Sequence, residues 1–150
     1  MACIPYLYDL IEPGRYLFIS TGKMRIEKVV DFIPLGIGDF MNIRFGDLLP
    51  DDSIDDKVIS NNGDIIKVLA TIVDILRHFT TQHPQTEIYF HGTTEDRNRL
   101  YRRIIRTYYP EFSKEFAIAG VFSIENVIHI LPYNPRTDQE YVAFLIKRIF

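Results

Sequence analysis

With one cysteine, Cys3, the chain can form no internal disulfide and no cysteine-based zinc cluster. No stretch approaches the roughly twenty consecutive apolar residues that a membrane-spanning helix needs. No basic segment leads into an apolar run, so neither a signal peptide nor a membrane partner is expected, and a cytoplasmic location is the default. The phosphate-cradling glycine loop, the nucleophile elbow and the dinucleotide fingerprint are all missing. Gly36-Ile37-Gly38 lacks both the third glycine and a following helix. His78, His83, His91 and His129 are too scattered for a local ligand motif, so no metal and no cofactor is expected. Tryptophan is absent, and the aromatic core falls to 9 tyrosines and 11 phenylalanines. A formal charge of −3 excludes a generally basic nucleic-acid coat but leaves room for one basic face.

What is present is ordinary for a folded protein: 47% hydrophobic and 25% charged residues in 150, suiting a single domain over 1–150. The first half reads as β. Tyr16 to Ser20, Arg25 to Pro34 and Phe40 to Leu48 form an expected antiparallel meander, with turns at Thr21-Gly22-Lys23 and Gly36-Ile37-Gly38-Asp39. An acidic loop from Pro50 to Asp56 follows. Ile65, Val68, Leu69, Ile72, Val73, Ile75, Leu76 and Phe79 then keep helical spacing until His83-Pro84. This core helix, Gly63 to about Gln82, is expected to lie across the sheet. A strand over Thr86–Phe90 leads to a second helix that Tyr109-Pro110 should close. Phe116–Phe122 and Asn126–Leu131 read as a hairpin. The spacing of Tyr141, Phe144, Leu145 and Ile149 predicts a terminal helix over Asp138–Phe150. The order β-β-β-α-β-α-β-β-α makes an α+β protein, a mostly antiparallel sheet with helices packed on it.

The candidate site is the loop between the Thr86 strand and the second helix. Five arginines follow it: Arg97, Arg99, Arg102, Arg103 and Arg106. Four of them share a polar face, opposite Leu100, Tyr101, Ile104, Ile105 and Tyr108. Arg97 projects from the apolar side. Helix N–H groups, the hydroxyls of Thr93 and Thr94 and the Arg97 guanidinium can hold an anion together. Arg99 flanks that site, and Asn61, Asn62 and Asp64, at the start of the first helix, are expected to line it. The same residue types serve as caps, Glu95 and Asp96 complement the helix dipole, and Arg97 can act as an internal strut. Arg102, Arg103 and Arg106 form a candidate nucleic-acid face. Lys67 is expected to face solvent.

The segments Ser60-Asn61-Asn62-Gly63-Asp64, Lys67-Val68-Leu69-Ala70-Thr71 and Gly92-Thr93-Thr94, with Arg97, Arg99, Leu100 and Tyr101, resemble a bacterial family of unknown function typical of Bacteroidetes. Tyr16, Phe18, Ile19, Ser20, Ile26 and Lys28 extend the likeness. That family usually has serine at position 93, and commonly proline and threonine where Glu95 and Asn98 stand here. The resemblance implies no reaction, cofactor or partner. The element order also resembles the opening of the ribonuclease-H-like fold, where an Asn-Asn pair precedes the first helix. An enzyme of that class gathers about four carboxylates on two metals, whereas His91-Gly92-Thr93 replaces the acid expected after the central strand.

The leading expectation is therefore a binding or regulatory module recognising an anionic ligand, a nucleic acid or an acidic protein surface. One alternative is a phosphodiester or nucleotide hydrolase using Asp31, Asp64, Glu95 and Asp96, or a toxin-like ribonuclease using the arginines and His91. The other is a homo-oligomeric structural protein joined through exposed sheet edges.

Overall fold

A computed structural model describes residues 4–55, 62–92, 94–137 and 139–149. Among these lie nine strands: β1 (Tyr8–Glu12), β2 (Arg15–Ser20), β3 (Ile26–Pro34), β4 (Phe40–Leu48), β5 (Ile54–Asp55), β6 (Glu87–Phe90), β7 (Phe116–Ile124), β8 (Val127–Pro132) and β9 (Ala143–Arg148). The two helices are α1 (Ile65–Gln82) and α2 (Glu95–Glu115). The protein is α+β, with strands hydrogen-bonded in the order β1-β2-β3-β4-β6-β9-β7-β8 and β5 on β4. Every pairing with a described register is antiparallel except that of β4 with β6. No described helix is long and apolar enough to cross a membrane.

Contacts gather into two units, one of Met1–Ile33 with Arg44–Gln82, the other of Pro34–Ile43 with His83–Phe150. In the first, α1 buries Val68, Leu69, Ile72, Val73, Ile75, Leu76 and Phe79 against the strands. Phe79 stacks on Phe32 with ring centroids 3.9 Å apart, and His78 Nδ1 lies 2.7 Å from the Tyr16 hydroxyl. The expected core helix thus packs on the sheet. β3 is buried at five successive positions, Lys28 to Phe32, because both of its faces are covered. Its two buried charges are paired: Lys28 with Asp47 at 2.5 Å, and Asp31 with Arg15 through two 2.8 Å bonds.

In the second unit, Phe40, Met41 and Asn42 run parallel to Glu87, Ile88 and Tyr89. β9 lies between β6 and β7, pairing Phe144 with Phe90 on one side and with Gly120 on the other. Here the expected terminal helix is corrected to a strand. Ala143, Phe144 and Ile146 are buried because β9 is interior to the sheet, and two hydrogen-bonded neighbours outweigh a helical spacing of four residues. The expected stop at Pro110 is likewise corrected, since α2 runs through it to Glu115. Proline removes one helical hydrogen bond, but Tyr108 and Phe112, both buried, anchor the helix on either side. β1 and the two-residue β5 were not anticipated. The β7–β8 hairpin turns through Glu125 and Asn126, both at positive φ, the geometry of a two-residue primed turn.

Candidate functional site

Thr94, in extended backbone, caps α2 by accepting the Arg97 N–H on its hydroxyl at 3.2 Å. Across the loop the Gly92 N–H donates to Asn98 Oδ1 at 2.6 Å. A Cβ on Gly92 would lie 2.6 Å from Arg97 Cβ and 2.8 Å from the Asn98 nitrogen, so the close approach requires glycine. Arg97 is only 2% exposed. Its side chain is therefore withdrawn from solvent. Asn98 supplies the acceptor that ties the loop down.

The loop carboxylates are engaged by arginines. Glu95 accepts from Arg102, whose hydrogen bond and charge hold its carboxyl below the ordinary value of 4.5, and Asp96 pairs with Arg99 at 3.0 Å. Arg102 also donates to the Tyr141 carbonyl at 3.1 Å, which makes it a brace between α2 and the segment before β9. Burial pushes the Tyr133 phenol above its ordinary value of 10.0, while the nearby Arg106 guanidinium acts the other way. Arg103 is exposed and has no ion pair with a described residue. Of the three arginines expected to meet nucleic acid, Arg102 is thus a brace, while Arg103 and Arg106 are exposed. Thr93 and Asn61 lie outside the described residues.

Asn62 and Asp64 form a different structure within the first unit. The Tyr6 and Ser20 hydroxyls both donate to Asp64 Oδ2 at 2.5 Å, and the Thr21 N–H donates to the Tyr6 hydroxyl at 3.1 Å. Asn62 Nδ2 donates to Ser20 Oγ and to the Met24 carbonyl, each at 2.8 Å, while Oδ1 accepts the Met24 N–H at 2.7 Å. Its carbonyl accepts from the Lys23 N–H at 2.8 Å. A Cβ on Gly22 would lie 1.8 Å from that oxygen. The two residues therefore clamp the β2–β3 turn and the leading segment onto the start of α1.

Beside this clamp is an open cleft of about 410 Å³, lined by Pro5, Tyr6, Leu7, Asp9, Leu17, Phe18, Ile19, Thr21 and Lys67. Tyr6 and Phe18 stack at 5.9 Å and 21° to make its aromatic part. Lys67, expected to face solvent, is half-buried instead, with its ammonium 4.6 Å above the Tyr6 ring and no ion pair with a described residue. Asp9 at the rim is exposed and likewise unpaired among the described residues. Sequence reasoning missed this cleft because a polar position on an amphipathic helix says nothing about what crosses above it. Here the segment before β1 folds back, and the Tyr6 N–H bonds to Thr71 Oγ1 at 2.9 Å.

The carboxylates named for hydrolysis are dispersed over partners of their own: Asp31 on Arg15, Asp64 on Tyr6 and Ser20, Glu95 on Arg102 and Asp96 on Arg99. No three of the described His, Cys, Asp and Glu residues gather closely enough to share a metal ion. His91 is exposed and stacks on Tyr89 at 5.7 Å. No curated protein and no solved structure matches the chain, so the ribonuclease-H-like likeness stays at the level of element order. The resemblance carried by the Asn62, Lys67 and Gly92 segments is matched along almost the whole sequence, residues 6–149, and the chain belongs to DUF6934, a family of unknown function.

Proposed function

We propose that this chain is a binding module whose site is the cleft beside Tyr6 and Lys67. Its ligand is a small molecule with an aromatic or apolar body and an anionic group. One observation carries the reading: a half-buried ammonium without a carboxylate partner among the described residues sits over an aromatic ring inside a concave cleft. The volume falls in the roughly 300–1,000 Å³ typical of small-molecule sites. Leu17 and Ile19 supply apolar surface, the Thr21 side chain adds a hydroxyl, and Lys67 supplies the charge. Asp9 at the rim disfavours a ligand that is anionic at both ends.

In this reading the anion is recognised by Lys67. The test is titration with phenyl phosphate, followed by amide chemical shifts, with benzyl alcohol as the uncharged comparison. Phenyl phosphate should shift signals at Tyr6, Phe18 and Lys67, and Lys67→Met should weaken it at least tenfold while leaving benzyl alcohol unaffected. Absence of shifts at millimolar ligand, or equal binding to Lys67→Met, refutes the proposal.

A further inference from the structure

The outer edge of β8 is an exposed, uncharged strand edge. β8 ends the sheet, and Val127, Ile128, Ile130 and Leu131 are 56%, 62%, 54% and 53% exposed. Native edges are normally guarded by charge, by proline or by a covering element. β1, at the other end of the strand order, carries Asp9 and Glu12. β8 carries no Asp, Glu, Lys or Arg at all.

The backbone of that edge is poised to pair. The Tyr133 N–H donates to the Ile118 carbonyl at 2.9 Å, which fixes the phase of the β7–β8 ladder. In an antiparallel pair, successive residues direct their N–H and C=O groups alternately toward and away from the partner. Val127, His129 and Leu131 therefore face β7, while Ile128, Ile130 and Pro132 turn their backbone groups outward. Pro132 has no N–H to offer, so the open donors are those of Ile128 and Ile130.

Val127-Ile128-His129-Ile130-Leu131 reads as aliphatic, Ile, His, Ile, aliphatic in either direction. From this self-complementarity we propose that the chain pairs with a second copy of itself, edge to edge, in an antiparallel β8–β8 ladder whose two-fold axis passes through His129. Ile128 of each copy then exchanges both backbone hydrogen bonds with Ile130 of the other, and the same pair recurs across the axis. Val127 stands opposite Leu131, and His129 opposite its own counterpart in a non-hydrogen-bonded pair. Every outward N–H of β8 is satisfied, Pro132 falls beyond the ladder, and no like charges meet. A foreign strand can satisfy the same backbone groups, but only a second copy is bound to bring this symmetric run in this register. The four apolar side chains and the backbone cover on the order of 500 Å² per copy, near the lower bound of stable interfaces. The dimer should accordingly be of micromolar strength.

Sedimentation equilibrium of the full chain between about 1 and 200 micromolar spans that range. A concentration-dependent dimer is expected, and Ile130→Lys, which places an ammonium beside each outward donor, should be monomeric throughout with an unchanged far-ultraviolet circular dichroism spectrum. A wild-type chain that stays monomeric at the highest concentration overturns the proposal, as does a folded Ile130→Lys that dimerises equally well. Where Ile130→Lys fails to fold, Cys3→Ser/His129→Cys decides the matter. A non-hydrogen-bonded antiparallel pair lies within disulfide reach, so oxidation should yield a covalent dimer. Cys3→Ser/Glu125→Cys should not cross-link, and equal cross-linking of the two refutes the register.

Discussion

Replacing Asn62 with alanine separates a clamp from a ligand contact. The amide is 4% exposed and makes three side-chain hydrogen bonds, two through Nδ2 and one through Oδ1. Each contributes about 0.5–1.5 kcal/mol net. The Met24 groups can regain water, because that residue is exposed, and Ser20 keeps its bond to Asp64. The loss should therefore stay near the plain sum of the three bonds, about 1.5–4.5 kcal/mol. With a urea m-value of about 2 kcal/mol/M, the midpoint should fall by roughly 1–2 M. Asn62→Asp should be worse at neutral pH, since it loses both Nδ2 donors and sets a second carboxylate against the hydroxyl that already serves Asp64. That neighbour raises the folded pKa of the new carboxyl above its unfolded value of about 3.9. The variant's deficit is then largest above the folded pKa and shrinks as the pH falls through it. A stability for Asn62→Ala within about 0.5 kcal/mol of the parent would show that Asn62 is no clamp.

Leu69 is completely buried on α1, and Leu69→Ala should cost about 2–5 kcal/mol in denaturant unfolding through the cavity it leaves; parental stability would mean the helix face is not packed. Arg102→Met should lower the melting temperature at neutral pH, because Glu95 loses the partner that holds its carboxyl below 4.5. A lowered folded pKa contributes stability above the unfolded value that disappears as the pH falls through the folded one. The gap between parent and variant should therefore narrow below pH 4.5, leaving only the part due to the Tyr141 carbonyl; a gap constant down to pH 2 would refute the role of the ion pair.

Where a single local period dominated, the sequence was legible. α1 follows its apolar stripe, and the glycine turn at Gly36-Ile37-Gly38 falls where expected, with Gly36 and Gly38 at positive φ. The α2 cap at Thr94 and the inward course of Arg97 also follow from local spacing. Non-local pairing was not legible. The helical spacing of Tyr141, Phe144 and Leu145 could not reveal that two strands, distant in sequence, border β9. Pro110 read as a terminator because its cost is local, whereas the burial of Tyr108 and Phe112 that offsets it is tertiary. In the same way Asn62 and Asp64 were recognisable as special, but not that their partners were Ser20, Met24 and Tyr6, some forty to sixty residues away. The Tyr6–Lys67 cleft depends on the same long-range fold-back and left no trace in the sequence pattern.

Neither compact unit is a continuous stretch of chain, and that fact governs the order in which the molecule can be made. The tip from Pro34 to Ile43 emerges early in synthesis, yet its unit is otherwise built from His83 onward. Phe40 to Asn42 have their parallel neighbours at Glu87 to Tyr89, and the Glu87 N–H closes onto the Asp39 carbonyl at 2.9 Å. At about 5–20 residues per second a ribosome leaves that strand edge without its β6 partner for several seconds. During that interval the nascent chain can complete the unit containing α1 while carrying an open template for pairing. The period of greatest exposure to misassembly thus falls before Glu87 has left the exit tunnel, and a pause in translation there would lengthen it.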